Sequence, residues 1–104
     1  MQPTSDHPYS MAKRAGDFIF VSGALSVDRD YQPVEGRREA LAAALERMTE
    51  RLATAGGELK DLVKLTYFVT DITLREEANE QFSEHFAQAR PARTFLEASR
   101  LPYG

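Results

Sequence analysis

Strand-like and helix-like patterns alternate along this chain, and three of them predict a single domain in which two helices pack onto a sheet. Phe18-Ile19-Phe20-Val21 is a short apolar run directly after a tight Ala15-Gly16-Asp17 turn. Leu41, Leu45, Met48, Leu52 and Ala55 recur at steps of four and three, which draws one apolar stripe along a helix. Val63, Leu65, Tyr67 and Val69 alternate with Lys64, Thr66, Phe68 and Thr70, the period of a strand.

The elements follow in order. Residues 1 to 8 are polar and read as a loose arm. Ser10 to Arg14 and Asp17 to Ser22 read as the two strands of a hairpin. Gly23 to Gly36 is irregular, with turn formers Asp28, Asp30, Pro33 and Gly36. The first helix is expected from about Arg37 to Ala55. Glu46, Arg47, Glu50 and Arg51 are expected on its solvated flank, and Gly56-Gly57 closes it. Asp61 to Thr70 is the clearest strand. Phe68 on its more polar face hints at a further buried surface, such as a subunit contact. The second helix is expected to start at Thr73, where Thr73-Leu74-Arg75-Glu76 fits a capping box. Leu74, Ala78, Phe82, Phe86 and Ala89 mark its inner face, and Pro91 bars continuation. The last strand follows Pro91. It sets Arg93, Phe95, Glu97 and Ser99 on one face, and Ala92, Thr94, Leu96 and Ala98 on the other.

Composition narrows the function. The 104 residues, 42% hydrophobic, suffice for one domain and leave no room for two. A core of this size is modest, so oligomerisation is a natural source of further stability. A net charge of -3 argues against a nucleic-acid partner, which would call for a basic face. With no cysteine there is no disulfide, no thiol nucleophile and no Cys-ligated zinc. No apolar run approaches a membrane span, and the N-terminus lacks the pattern of a secretory signal. A soluble, cytoplasmic protein is expected.

Motifs of chemistry are sparse. His7 and His85 stand apart, without a cluster at ligand spacing, so no metal site is expected. Val21-Ser22-Gly23-Ala24 lacks the glycine before the serine that a nucleophile elbow requires. Gly56-Gly57 follows a helix instead of opening one, so it is no phosphate loop. Arg93 beside Phe95 suits a small planar carboxylate. On residue type alone, an ordinary surface arginine is the more common outcome for such a position.

Five blocks change that balance. They are Pro8-Tyr9-Ser10; Ala15 through Gly23; Asp61 through Asp71; Asn79 within the second helix; and Pro91-Ala92-Arg93-Thr94 running on to Glu97 and Arg100-Leu101-Pro102. In order and spacing they resemble the RidA/YjgF family of small trimeric enamine/imine deaminases. The resemblance implies an α+β, chorismate-mutase-like fold: a mixed sheet with two helices on one face. It also implies a homotrimer with its sites between subunits. It places the carboxylate-binding, catalytic arginine at Arg93, the ring-bearing tyrosine at Tyr9, the pocket-lining strand end at Ser22 and Gly23, and the helix asparagine at Asn79. The implied reaction is hydrolytic deamination of 2-aminoacrylate-type enamines and 2-imino acids, such as 2-iminopropanoate and 2-iminobutanoate, to 2-keto acids and ammonia. It needs no cofactor, because an imine is already electrophilic. Non-catalytic binding of small carboxylates on the same fold is the alternative. A ribonuclease activity attached to some family names fits the acidic charge poorly.

Two departures from the family stand out. Phe95 occupies a position that is commonly small or Cys-like in the deaminases, which would narrow or reshape the pocket. Family chains also continue beyond Leu-Pro-x-Gly into a final strand whose glutamate positions water. Residues 1–104 are therefore expected to form one RidA-like domain without that strand. Glu97 shares the Arg93 face and is expected to partner a nearby cation.

Overall fold

The computed structural model describes residues 7–103. The chain opens with an antiparallel hairpin, β1 (Ala12–Ala15) and β2 (Phe18–Val21), in which Ala15 faces Phe18. Gly16 takes φ 62 at the turn, a region closed to most side chains. Ile19 and Val21 point inward, whereas Phe18 and Phe20 point outward and are exposed.

The loop that follows closes on itself. Asp28 accepts hydrogen bonds from the N–H groups of Asp30 and Gln32, and Val27 bridges Pro33. Val27 is thereby buried.

Helix α1 spans Arg37–Ala53 and buries Leu41, Leu45, Met48 and Leu52, as the stripe requires. Its flank differs from expectation. Arg47 and Arg51 are buried, 9% and 5% exposed. The reason is the 25–31 loop, which folds over them: Arg47 donates to the Val27 carbonyl (3.1 Å), and Arg51 to the Tyr31 hydroxyl (3.0 Å). The helix yields to Gly56, at φ 84, and a 3₁₀ turn, Leu59–Asp61, leads onward.

Strand β3 (Lys64–Val69) pairs in parallel with β4 (Ala92–Glu97), and α2 (Arg75–His85) makes the crossover. The expected capping box at Thr73 does not form. Asp71 caps instead, its Oδ1 accepting from the Thr73 N–H (2.9 Å) and hydroxyl (2.7 Å), and a 3₁₀ turn over Ile72–Leu74 precedes the helix. Aspartate, with its short acceptor, outcompetes threonine here. Helix α2 also ends earlier than Pro91 demands. The chain unwinds at Phe86, φ -126, whose ring lies in the core beside Leu45 and Met48.

Among the described residues, two helices and four strands take the α+β arrangement of the structural neighbours. Among the described residues, the strands form two ribbons, β1-β2 and β3-β4, rather than one continuous sheet. One core joins them. Val21 of β2 and Leu65 of β3 pack against the same Leu45–Met48–Phe86 cluster.

Ion pairs tie the helices together. Arg37 grips Glu77 (2.6 Å) and reaches Asp71 (3.6 Å), while Arg38 grips Glu80 (2.5 Å). Hydrogen bonds from Arg37 and Arg38 hold the Glu77 and Glu80 carboxyls below their ordinary range, and the Thr73 hydroxyl does the same for Asp71. A carboxyl lowered by folding stabilises the fold above its unfolded-state value, and that contribution is lost as pH falls through the folded value. The melting temperature should therefore drop on acidification from about pH 5 to about pH 3. Calorimetry of an Arg37→Gln/Arg38→Gln variant should show a shallower acid limb, and an unchanged limb would contradict this role.

Candidate functional site

Strand β4 begins directly after the buried Pro91 and places Arg93 opposite Leu65, Phe95 opposite Tyr67 and Glu97 opposite Val69. Paired residues share a sheet face. Leu65 packs into the core, so Arg93 and Phe95 lie on the helix-covered side. Helix α2 passes over that side and contributes Phe82.

The Arg93 guanidinium is held in an aromatic collar. Its central carbon lies 5.6 Å from the Tyr67 ring, 5.2 Å from Phe82 and 5.5 Å from Phe95. Ring faces attract a cation without consuming its N–H groups. Among the described residues, Arg93 takes part in no ion pair. The collar is itself braced: Tyr67 donates to Gln81 Oε1 (2.9 Å), and Gln81 Nε2 donates to the Leu41 carbonyl (2.7 Å). Burial pushes the Tyr67 phenol above its ordinary value, and the Arg93 charge opposes that shift. Phe95 forms a wall of the collar, its ring 5.7 Å from that of Tyr67.

The other residues singled out in the sequence lie in different surroundings. Asn79 is half-buried on α2, one turn before Phe82. Ser22 closes the open end of the hairpin: its hydroxyl donates to the Ser10 carbonyl (2.6 Å) and its N–H to that of Met11 (2.9 Å). Gly23 is exposed, and a Cβ there would meet nothing within 4 Å. Tyr9 stacks on His7, with ring centroids 4.9 Å apart, and lies over Arg51 rather than Arg93. Arg93 and Phe95 thus form one group. Ser22 lies at the end of the hairpin, and Tyr9 beside Arg51.

Among the described residues, Glu97 partners no cation. Its carboxylate accepts the Ile72 N–H (2.9 Å), anchoring the turn before α2. Sequence reasoning missed Tyr67 and Phe82 as neighbours of Arg93. Both were visible only as apolar positions, because the parallel register and the helix crossing that bring them together are long-range. Among the described residues, no three His, Cys, Asp or Glu side chains group as a metal site would require, and no helix is long and apolar enough to cross a membrane.

The family model for endoribonuclease L-PSP matches residues 1–104. A RutC family protein of Pyrococcus abyssi is 38% identical over 97 residues, covering 91% of this chain and 76% of the relative. The mitochondrial protein mmf2 of Schizosaccharomyces pombe is 36% identical over 96 residues, covering 91% and 75%. Among solved structures, RidA from the Antarctic bacterium Psychrobacter sp. PAMC 21119 superposes with a TM-score of 0.88 at 29% identity, covering 99% of this chain and 85% of that one. Yeast Mmf1 superposes equally well, at 0.88 and 29% identity, covering 97% and 82%. By family model, sequence and fold, the chain belongs to the RidA/YjgF family.

Proposed function

We propose that this protein is a cytoplasmic, homotrimeric hydrolase that deaminates 2-imino acids and their enamine tautomers to 2-keto acids and ammonia. The observation that carries the reading is Arg93: a guanidinium oriented by three rings and without an ion-pair partner among the described residues. A planar fork of N–H donors matches a carboxylate in two-pronged fashion. Such a pair would hold the C=N group in one plane for attack by water. Water adds to the imine carbon, a proton passes to nitrogen, and ammonia leaves as the carbonyl forms. The test is ammonia release from freshly generated 2-iminopropanoate, compared with Arg93→Ala.

Tyr9, Ser22 and Gly23 would complete the pocket from a neighbouring subunit, which accounts for their separation from Arg93 within one chain. Phe18 and Phe20, each 66% exposed, and Phe68, 55% exposed, support burial between subunits. Light scattering at micromolar concentration should report a homotrimer, and a stable monomer would contradict the composite site.

Carboxylate binding without turnover is the second reading. It is favoured by Glu97, whose carboxylate Oε1 is turned to the Ile72 N–H at the turn before α2. A ribonuclease reading gains no support from the histidines: His7 bonds Tyr31, and His85 Nδ1 lies 3.0 Å from the Gln81 carbonyl.

A further inference from the structure

A second arginine occupies unusual surroundings. Arg51 of α1 is 5% exposed and lines a cavity of about 370 Å³ between α1 and the 25–31 loop. Its Nη2 donates to the Tyr31 hydroxyl (3.0 Å), and its Nη1 has no hydrogen-bond partner among the described residues. The charges around it do not balance. Arg29 and Arg47 both bond Glu50, and Arg47 also bonds Glu46. Among the described residues, three guanidiniums therefore meet two carboxylates, and the deeply buried one is left over. A buried, unpaired charge is among the costliest features a fold can carry, and such charges are normally met by a counter-ion.

The neighbouring groups indicate what kind of anion fits. Tyr31 holds a left-handed backbone, φ 61, unusual for a bulky residue, and its hydroxyl sits between Arg51 and His7 Nε2 (2.7 Å). The hydroxyl accepts from Arg51 and is also hydrogen-bonded to His7 Nε2. Tyr31 and His7 thus orient the guanidinium and add no negative charge. The rings of Tyr9 and His7 are stacked beside it, the Tyr9 centroid 5.8 Å from the Arg51 central carbon. Met11, Leu25 and Val27 give the cavity an apolar wall.

We infer that this cavity is a second anion site, distinct from the Arg93 collar of the same chain, which takes a small monocarboxylate carrying a flat or apolar body. One excess positive charge calls for a single negative one, and the unused Nη1 donor supplies the charge-assisted contact. The apolar wall and stacked rings suit a planar body better than a fully hydrated inorganic ion.

Benzoate is the probe, and inorganic phosphate the comparison. Titration calorimetry and thermal melting on the 104-residue chain should show saturable benzoate binding and a rise in melting temperature, with phosphate much weaker. Because Arg93 is itself proposed to take small carboxylates, the cavity is read in the Arg93→Ala background, which should retain benzoate binding. In that background Arg51→Met, which keeps the length of the side chain and removes its charge, should weaken benzoate at least tenfold. Leu25→Trp fills the cavity and should block binding too, so the test stands even if Arg51→Met folds poorly. Benzoate binding that is lost in Arg93→Ala alone, that survives both cavity variants in that background, or that is absent at millimolar concentration would overturn the inference. So would phosphate binding as tightly as benzoate.

Discussion

Arg93→Ala is expected to lose turnover of 2-iminopropanoate and to bind pyruvate roughly 30- to 150-fold more weakly. That range corresponds to about 2 to 3 kcal/mol for one charge-assisted carboxylate pair. The loss should be specific to binding. Arg93 is half-exposed and makes no ion pair among the described residues, so its removal leaves no buried partner stranded. The melting temperature should move little, because only ring contacts are lost. Arg93→Lys should recover little affinity, since an ammonium is a point charge without a planar fork, although its cation still meets the rings of Tyr67, Phe82 and Phe95. Calorimetric titration with pyruvate checks both variants. Unchanged pyruvate affinity in Arg93→Ala would refute the role.

Residues 1–104 followed by a family-type strand are expected to release ammonia about 100- to 10,000-fold faster than residues 1–104 alone, with pyruvate affinity nearly unchanged. The argument rests on a division of labour. In the proposed reaction Arg93 would hold the carboxylate, and positioning water is a separate task for which the collar residues Tyr67, Phe82 and Phe95 offer no carboxylate, while Glu97 Oε1 is turned to the Ile72 N–H. A general base or water-orienting group acts on the rate and leaves ground-state binding largely intact. The split sheet supports the same expectation. β1-β2 and β3-β4 share one core but do not pair with each other, so each ribbon keeps an unpaired edge among the described residues. A strand that satisfied such edges should also raise the melting temperature. Equal rates for the short and extended chains would show that groups within residues 1–104 already position the water, with Tyr9 the first to replace.

The parts of the fold legible in the sequence were those set by local period and by chain punctuation. The Leu41–Leu45–Met48–Leu52 stripe is buried as its spacing demands, and the Gly16 turn and the β4 alternation both formed. The misread positions were decided by groups distant in sequence or by a closer competitor. Arg47 and Arg51 look like solvated helix flank until the 25–31 loop folds over them and supplies the Val27 carbonyl and the Tyr31 hydroxyl. Thr73 satisfies a capping pattern, yet Asp71, two residues earlier, offers the better acceptor and takes both Thr73 donors. Helix α2 stops at His85 because Phe86 is drawn into the core. At the site, Arg93 and Phe95 were visible as neighbours on one strand face. Tyr67 and Phe82 joined them only through the β3-β4 register and the passage of α2. No local pattern carries that information.

The central claim is that Arg93 serves a hydrolytic deamination and not carboxylate binding alone. The most direct test is ammonia release from freshly generated 2-iminopropanoate, measured on the strand-extended chain with and without Arg93→Ala. The account predicts enzyme-dependent release that disappears in the variant. Release no faster than the uncatalysed reaction, from a chain that still binds pyruvate through Arg93, would contradict it and leave a carboxylate-binding module in its place.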